Sequence, residues 1–185
     1  DGLCMSDVAP DLDRFSSRRS TVHANNGIVA TSQPLASQAG LDVLKNGGNA
    51  FDAAVATAAV LNVVEPMSTG IGGDVFALYR TADGDVGALR SCGGAPSDAT
   101  LERTRAALAD ETEDDPAEVE IPKLGPHGVT VPGTLRGWEL LLDEYGVLDM
   151  STLLNPAIEY AITGYPVSEI ISAQWMQAER IFTDE

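Results

Sequence analysis

The chain has 185 residues, 28 of them acidic and 11 basic, a formal net charge of −17, and 44% hydrophobic side chains. That length and apolar content suit one domain, or one large piece of a bigger one, and exclude global disorder. So negative a surface repels phosphates and anionic lipid, which excludes nucleic acid and a membrane surface as charge-held partners.

In chain order, residues 1–26 are polar and irregular, with Arg14, Arg18 and Arg19 as a small basic island; they read as an N-terminal arm. Residues 27–185 read as one domain portion. Gly27 to Thr31 is a short strand candidate. A helix follows, with Ser32 as N-cap, Pro34 in its first turn, and Leu35, Ala39, Val43 and Leu44 on one face. Asn46-Gly47-Gly48 ends it. Asn49 caps a second helix, with Asp52 near its positive end. From Ala50 to Val64 that helix is apolar on every side, so it is expected to be buried, and at about 22 Å it is too short to cross a membrane. Glu65-Pro66 stops it.

Met67 to Asp74 is a glycine-rich turn. Val75–Tyr79 and Val86–Leu89 read as two strands, apolar on both faces, joined at Asp83-Gly84 by a two-residue hairpin. A sheet covered on both sides implies at least three layers. Ser97 to Ala109 reads as helix, and residues 110–120, with seven acids, as a solvated loop. Val129-Thr130-Val131 is a strand stopped by Pro132-Gly133. Leu135, Trp138, Leu141 and Leu142 mark an amphipathic helix ending at Gly146. Ser151 caps another, with Leu154, Ala157, Ile158 and Ala161 on its face and Gly164 at its end. Ser168 opens a last one, carrying Ile171, Trp175 and Met176.

Few residues invite chemistry. Cys4 and Cys92 form neither a disulfide framework nor a zinc-binding pair and read as free thiols. The acidic run lacks the alternating ligands and central glycine of a calcium loop, so no metal is expected. Gly70-Ile71-Gly72-Gly73 fails as a nucleotide loop. It leads from a helix into a strand, Val75 stands where a third glycine belongs, and Asp74 stands where a phosphate loop needs Lys. His23 and His127 have no serine or cysteine nearby in an elbow context. Arg90, at the end of the second hairpin strand, can clamp a carboxylate with its two-pronged guanidinium.

Several segments, taken together, resemble the γ-glutamyltransferase family. They are Gln33-Pro34-Leu35-Ala36-Ser37, Leu44 through Ala56, Glu65-Pro66-Met67-Ser68-Thr69-Gly70-Ile71-Gly72-Gly73-Asp74-Val75-Phe76, Ala95-Pro96, Gly128 through Gly133, and Leu154-Asn155-Pro156-Ala157-Ile158. They follow the family's order over nearly the whole chain. The resemblance implies an α/β (α+β) fold, the four-layer αββα N-terminal-nucleophile hydrolase fold, of which this chain is an incomplete N-terminal portion of the large subunit.

The resemblance further implies a precursor that cleaves itself and frees a threonine at the start of a small catalytic subunit. That threonine attacks the γ-glutamyl amide with its own α-amine as base, and passes the acyl group to water or an amino acid. No threonine of this chain takes that role, so no catalytic residue is assigned here and the piece alone is expected to be inactive. Its implied partners are the small subunit and a small γ-glutamyl substrate; no cofactor is implied. The substrate contact to seek is the family's carboxylate-gripping arginine, three residues before an Ala-Pro pair. Here that position is Cys92, and Arg90 lies two residues earlier. Either a local bulge brings Arg90 to the same place, or the chain belongs to the family's divergent acylase-like branch. A non-catalytic piece is the third reading. Asp1-Gly2-Leu3-Cys4 carries no basic region followed by an apolar stretch, which suits a cytoplasmic location; a removed leader stays open.

The charge balance also points to a habitat. Only Lys45 and Lys123 are lysines, and aromatic residues make up 5%. Such self-repulsion is tolerated when salt screens it, which suggests a salt-loving source. Thermal melting is expected to rise between low and molar salt; equal melting in both would remove the inference.

Overall fold

The computed structural model describes residues 20–112, 115–122 and 124–182, with side chains up to residue 179. Arg14, Arg18, Arg19 and Cys4 lie outside the described residues. Two compact units result, one from residues up to Thr69 and from Val147 onward, the other from Gly70 to Gly146.

The first unit holds helices α1 (Pro34–Lys45), α2 (Ala50–Val64), α5 (Met150–Thr163) and α6 (Glu169–Phe182). α2 lies between α1 and α5 and packs on both. Its buried side chains are mostly alanine and valine: Ala53, Val55, Ala56, Ala59, Val60 and Val64. Their small size lets neighbours come close. A Cβ on Gly40 of α1 would lie 2.2 Å from Thr57 Oγ1, so only glycine fits there. Thr57 Oγ1 is buried, and no hydrogen-bond partner for it occurs among the described residues. Leu153 and Ile171 complete this core from α5 and α6.

Asp52 is the first unit's buried carboxylate, with no exposed surface. Its Oδ2 accepts from Asn49 N at 2.8 Å, while Asn49 Oδ1 accepts from Phe51 N at 2.8 Å and Asp52 N at 3.1 Å. This reciprocal cap satisfies the donors that begin α2. The same carboxylate reaches across 95 residues of sequence to accept from Val147 N at 3.1 Å, and from Leu148 N at 3.4 Å.

The second unit holds strands β1 (Val75–Arg80) and β2 (Val86–Ser91), helices α3 (Leu101–Thr112) and α4 (Thr134–Tyr145), and a 3-10 turn at Pro126–Gly128. β1 and β2 are antiparallel, with Phe76 opposite Arg90, Leu78 opposite Ala88 and Arg80 opposite Val86. α4 packs on one face of this hairpin. A Cβ on Gly137 would lie 2.2 Å from Val75 Cγ1, so the side chains of the strands pack directly on the backbone of the helix there. At the other end of α4, Tyr145 and Tyr79 stack with ring centroids 5.0 Å apart and share a hydroxyl contact of 3.1 Å. That hydrogen bond, the one to Glu144 and partial desolvation raise the Tyr145 phenol above its ordinary range.

Several sequence expectations change here. Gly27–Thr31 and Val129–Val131 are not strands, because a strand needs a ladder and neither finds one among the described residues; Val131 N makes a single rung to Gly94 O at 3.0 Å. The hairpin turn is longer than two residues. Thr81 N donates to Asp85 O, Thr81 Oγ1 accepts from Asp85 N, and Gly84 takes a left-handed φ of 101°. The hairpin is not buried on both faces: α4 covers one, and Phe76, Leu78 and Val86 stand exposed on the other. α3 runs into the acidic segment as far as Thr112, because charged side chains on an exposed helix face need no burial. Ser32 does not cap α1; its hydroxyl donates to Glu65 at 2.5 Å, and Gln33 takes the cap position without a side-chain bond. Asp149, not Ser151, precedes α5, and its buried face turns on Leu153 rather than Leu154. Trp175 is half exposed.

Replacing Asp52 by Ala would leave three part-buried backbone donors, those of Asn49, Val147 and Leu148, without this acceptor. In urea unfolding of the complete protein, Asp52→Ala is expected to lose about 3 kcal/mol or more, and Asp52→Asn, which keeps one acceptor oxygen, less. Unchanged midpoints for both would refute this role.

Candidate functional site

Arg90 lies one residue before the end of β2, on the exposed face of the hairpin. The ladder stays in register through the Val75–Ser91 pair, so no bulge occurs between Val86 and Ser91. The ladder ends at Ser91, before the Cys92–Gly94 stretch across which Arg90 is offset from Ala95-Pro96. Cys92 follows the strand, half-buried, as a free thiol.

Of the two glycines between Cys92 and Ala95, Gly93 has a packing reason. A Cβ on Gly93 would lie 1.8 Å from Val131 O, and Gly94 O accepts the bond from Val131 N. Chain passes against chain here at a distance no side chain permits.

The glycine-rich turn serves the same seam. Gly73 O accepts from Gly133 N at 2.9 Å and from Thr134 N at 3.0 Å, the first donors of α4. Gly133 O accepts from Ser91 Oγ at 2.7 Å, and Thr134 Oγ1 donates to Gly70 O at 3.4 Å. A Cβ on Gly133 would lie 2.4 Å from Ser91 O. One glycine thus ties the start of β1, the end of β2 and the N-terminus of α4. The Gly73 carbonyl of this turn is thus engaged with the start of α4. Ser91, Gly133 and Thr134 were not legible as a set; the available signal was only Pro132-Gly133, which reads as a stop.

The histidines stand apart from Arg90 in role. His127 Nε2 lies 3.1 Å from Glu111 Oε1, an ion pair when the ring is protonated, and His23 is exposed. Among the described residues, no group of three or more His, Cys, Asp or Glu side chains is placed to hold a metal ion. In the same residues no helix is long and apolar enough to cross a membrane.

Glu65, in the first unit, ends α2 and holds the start of α1. Its Oε2 accepts from Ser32 Oγ at 2.5 Å and from Gln33 Nε2 at 3.0 Å. Partial burial pushes this carboxyl up, but hydrogen bonds from Ser32, Gln33 and Ser68 together outweigh it and hold it below the usual range.

Comparison with known proteins gives a consistent picture. The family profile described as Gamma-glutamyltranspeptidase matches residues 36–185. The glutathione hydrolase proenzyme of Bacillus subtilis (strain 168) is 41% identical over 152 residues, covering 80% of this chain and 24% of that protein. The acylase ACY 1 proenzyme of Pseudomonas sp. (strain SE83) is 37% identical over 169 residues, covering 88% of this chain and 29% of that protein. Among solved structures, a cephalosporin acylase from Bacillus halodurans superposes with a TM-score of 0.82 at 46% identity, over 96% of this chain and 32% of that one. The Helicobacter pylori gamma-glutamyltranspeptidase gives 0.78 at 36% identity, over 90% and 46%. The chain therefore spans between about a quarter and a third of the curated relatives' length. Its helices and hairpin are an incomplete portion of the four-layer α/β fold of these enzymes.

A carboxyl held below its unfolded value contributes stability that is present above the unfolded pKa and is lost as pH falls through the folded one. Glu65→Gln is accordingly expected to cost about 1 kcal/mol at neutral pH, with the deficit closing below roughly pH 4. Denaturant titrations of both forms from pH 7 to pH 3 check this; a deficit constant with pH would assign the loss to packing.

Proposed function

The chain belongs to the gamma-glutamyltranspeptidase family, and on that premise we propose that it is the large-subunit portion of a self-processing N-terminal-nucleophile enzyme moving the γ-glutamyl group of glutathione-like amides to water or to amino acids. The nucleophile is a threonine freed at the start of a small subunit, outside these residues. Its hydroxyl oxygen attacks the amide carbonyl while its α-amine takes the proton. Backbone donors hold the oxyanion, the amine leaves with a proton, and water or an amino acid then takes the acyl group. This portion contributes scaffold and one substrate contact, and by itself it is inactive.

The observation that carries the reading is Arg90, a guanidinium at an exposed strand end on a seam built from the family's own glycine motifs. A planar, permanently charged fork in that position suits the α-carboxylate of a glutamyl group. A second reading is favoured by the sequence count, which puts Cys92 rather than an arginine three residues before Ala95-Pro96, and by the likeness to two acylases. In it the fold and nucleophile are the same, but the acyl group carries no α-carboxylate to be gripped.

The readings separate in the full-length protein, once N-terminal sequencing has located a second chain that begins with threonine. Arg90→Ala is expected to raise KM for a γ-glutamyl anilide by roughly 30- to 150-fold, the loss of one charged two-pronged contact, about 2–3 kcal/mol. Hydrolysis of an anilide without an α-carboxylate is expected to be unaffected. An unchanged KM for the glutamyl substrate rules the clamp out and leaves the acylase reading.

A further inference from the structure

Ser91 closes β2, one residue after Arg90, and its side chain lies on the α4 side of the hairpin, against Gly137. Its Oγ donates to Gly133 O at 2.7 Å, across 42 residues of sequence. That carbonyl does not depend on the bond. It is the first acceptor of α4 and already takes Gly137 N at 2.9 Å. The hydroxyl therefore serves the strand rather than the helix. Past Ser91 the ladder has ended, and Cys92, Gly93 and Gly94 follow. Two glycines so close to a last rung leave a strand end free to fray. The next anchor is the bond from Val131 N to Gly94 O at 3.0 Å. The helix is shaped to receive Ser91 from below. A Cβ on Gly133 would lie 2.4 Å from Ser91 O, and one on Gly137 would lie 2.8 Å from Ser91 Cβ.

We infer that Ser91 is a positioning residue for substrate binding: its hydroxyl, held on Gly133 O, fixes the strand end from which Arg90 projects. The inference rests on the reading that Arg90 grips the α-carboxylate of a γ-glutamyl group, and it adds the residue that aims the grip. Arg90 is exposed, and among the described residues no carboxylate pairs with its guanidinium. No side chain of opposite charge orients it, so its aim depends on the backbone that carries it. A two-pronged contact needs both N–H directions correct at once. Misplacing a binding group by about 1 Å can cost as much as ~100-fold. Without the Ser91 hydroxyl the guanidinium is still present, but its base is loose, so part of its contribution is lost.

Steady-state kinetics of the full-length protein test this with Ser91→Ala, Arg90→Ala and the double variant. Ser91→Ala removes one oxygen and leaves Gly133 O on its helical bond. It is expected to raise KM for a γ-glutamyl anilide roughly 5- to 15-fold with kcat unchanged. KM for an anilide without an α-carboxylate is expected to stay the same. In the Arg90→Ala background the second substitution is expected to add less than about twofold, because a group that acts through Arg90 then has nothing to aim. An unchanged KM, an equal rise for both anilides, or the full rise in the Arg90→Ala background overturns the inference. Amide exchange of the segment from Leu89 to Cys92 gives a readout without turnover: it is expected to quicken several-fold in Ser91→Ala, and exchange as slow as in the parent overturns the role. If Arg90→Ala raises KM while Ser91→Ala does not, only the positioning falls. If Arg90→Ala leaves KM unchanged, the grip itself falls and the role of Ser91 with it.

Discussion

The buried carboxylate of Asp52 is the constraint around which the first unit is arranged. A charge with no exposed surface is costly unless every oxygen is met by donors. Here the donors are backbone N–H groups: Asn49 at the start of α2, and Val147 and Leu148 where the chain re-enters the unit. The helix N-terminus adds its own positive end. The interaction therefore does two things at once. It fixes where α2 begins, and it fixes where the segment leading into α5 must pass. α2 can then present alanine and valine to α1 on one side and to α5 on the other.

The second unit is held by a different device. Its seam is made of backbone atoms: Gly73 O takes the first donors of α4, while Gly133 and Gly93 approach neighbours at distances that leave no room for a Cβ. Side chains contribute mainly Ser91 and Thr134, each bonding a carbonyl. Both strand ends are thereby fixed against the first turn of α4, which gives the strand carrying Arg90 a rigid support.

Much of this was legible in the sequence, for local reasons. Asn49 announces a helix cap, with Asp52 near the helix's positive end, and the all-apolar stretch behind them announces a buried helix; that Asp52 also bonds back to Asn49 N came from the structure. Glycines mark the ends of α1, α4 and α5, and the hairpin shows in its two apolar runs. The misreadings share one cause: they concern long-range partners. Ser32 looks like a cap until Glu65, 33 residues away, takes its hydroxyl. Val129–Val131 has strand composition but only one rung to offer. The hairpin's apolar open face was legible, but what covers it was not, because composition does not say which layer is at hand. Arg90 was legible as a strand-end arginine; its offset from the family position followed from counting, and the unbulged register only from the ladder.

The contact between Asp52 and Val147 spans 95 residues, and that separation governs timing. A ribosome emits α2 long before it emits the amides that complete the Asp52 shell. In the interval the helix has α1 to lean on, but neither α5 nor its last donors, while the hairpin and α4 emerge in between. At 5–20 residues per second, roughly 5 to 20 s pass in that half-built state. The apolar flank meant for α5 is bare throughout, so the nascent chain, rather than the finished one, is where this protein is most exposed to mispairing and most dependent on protection.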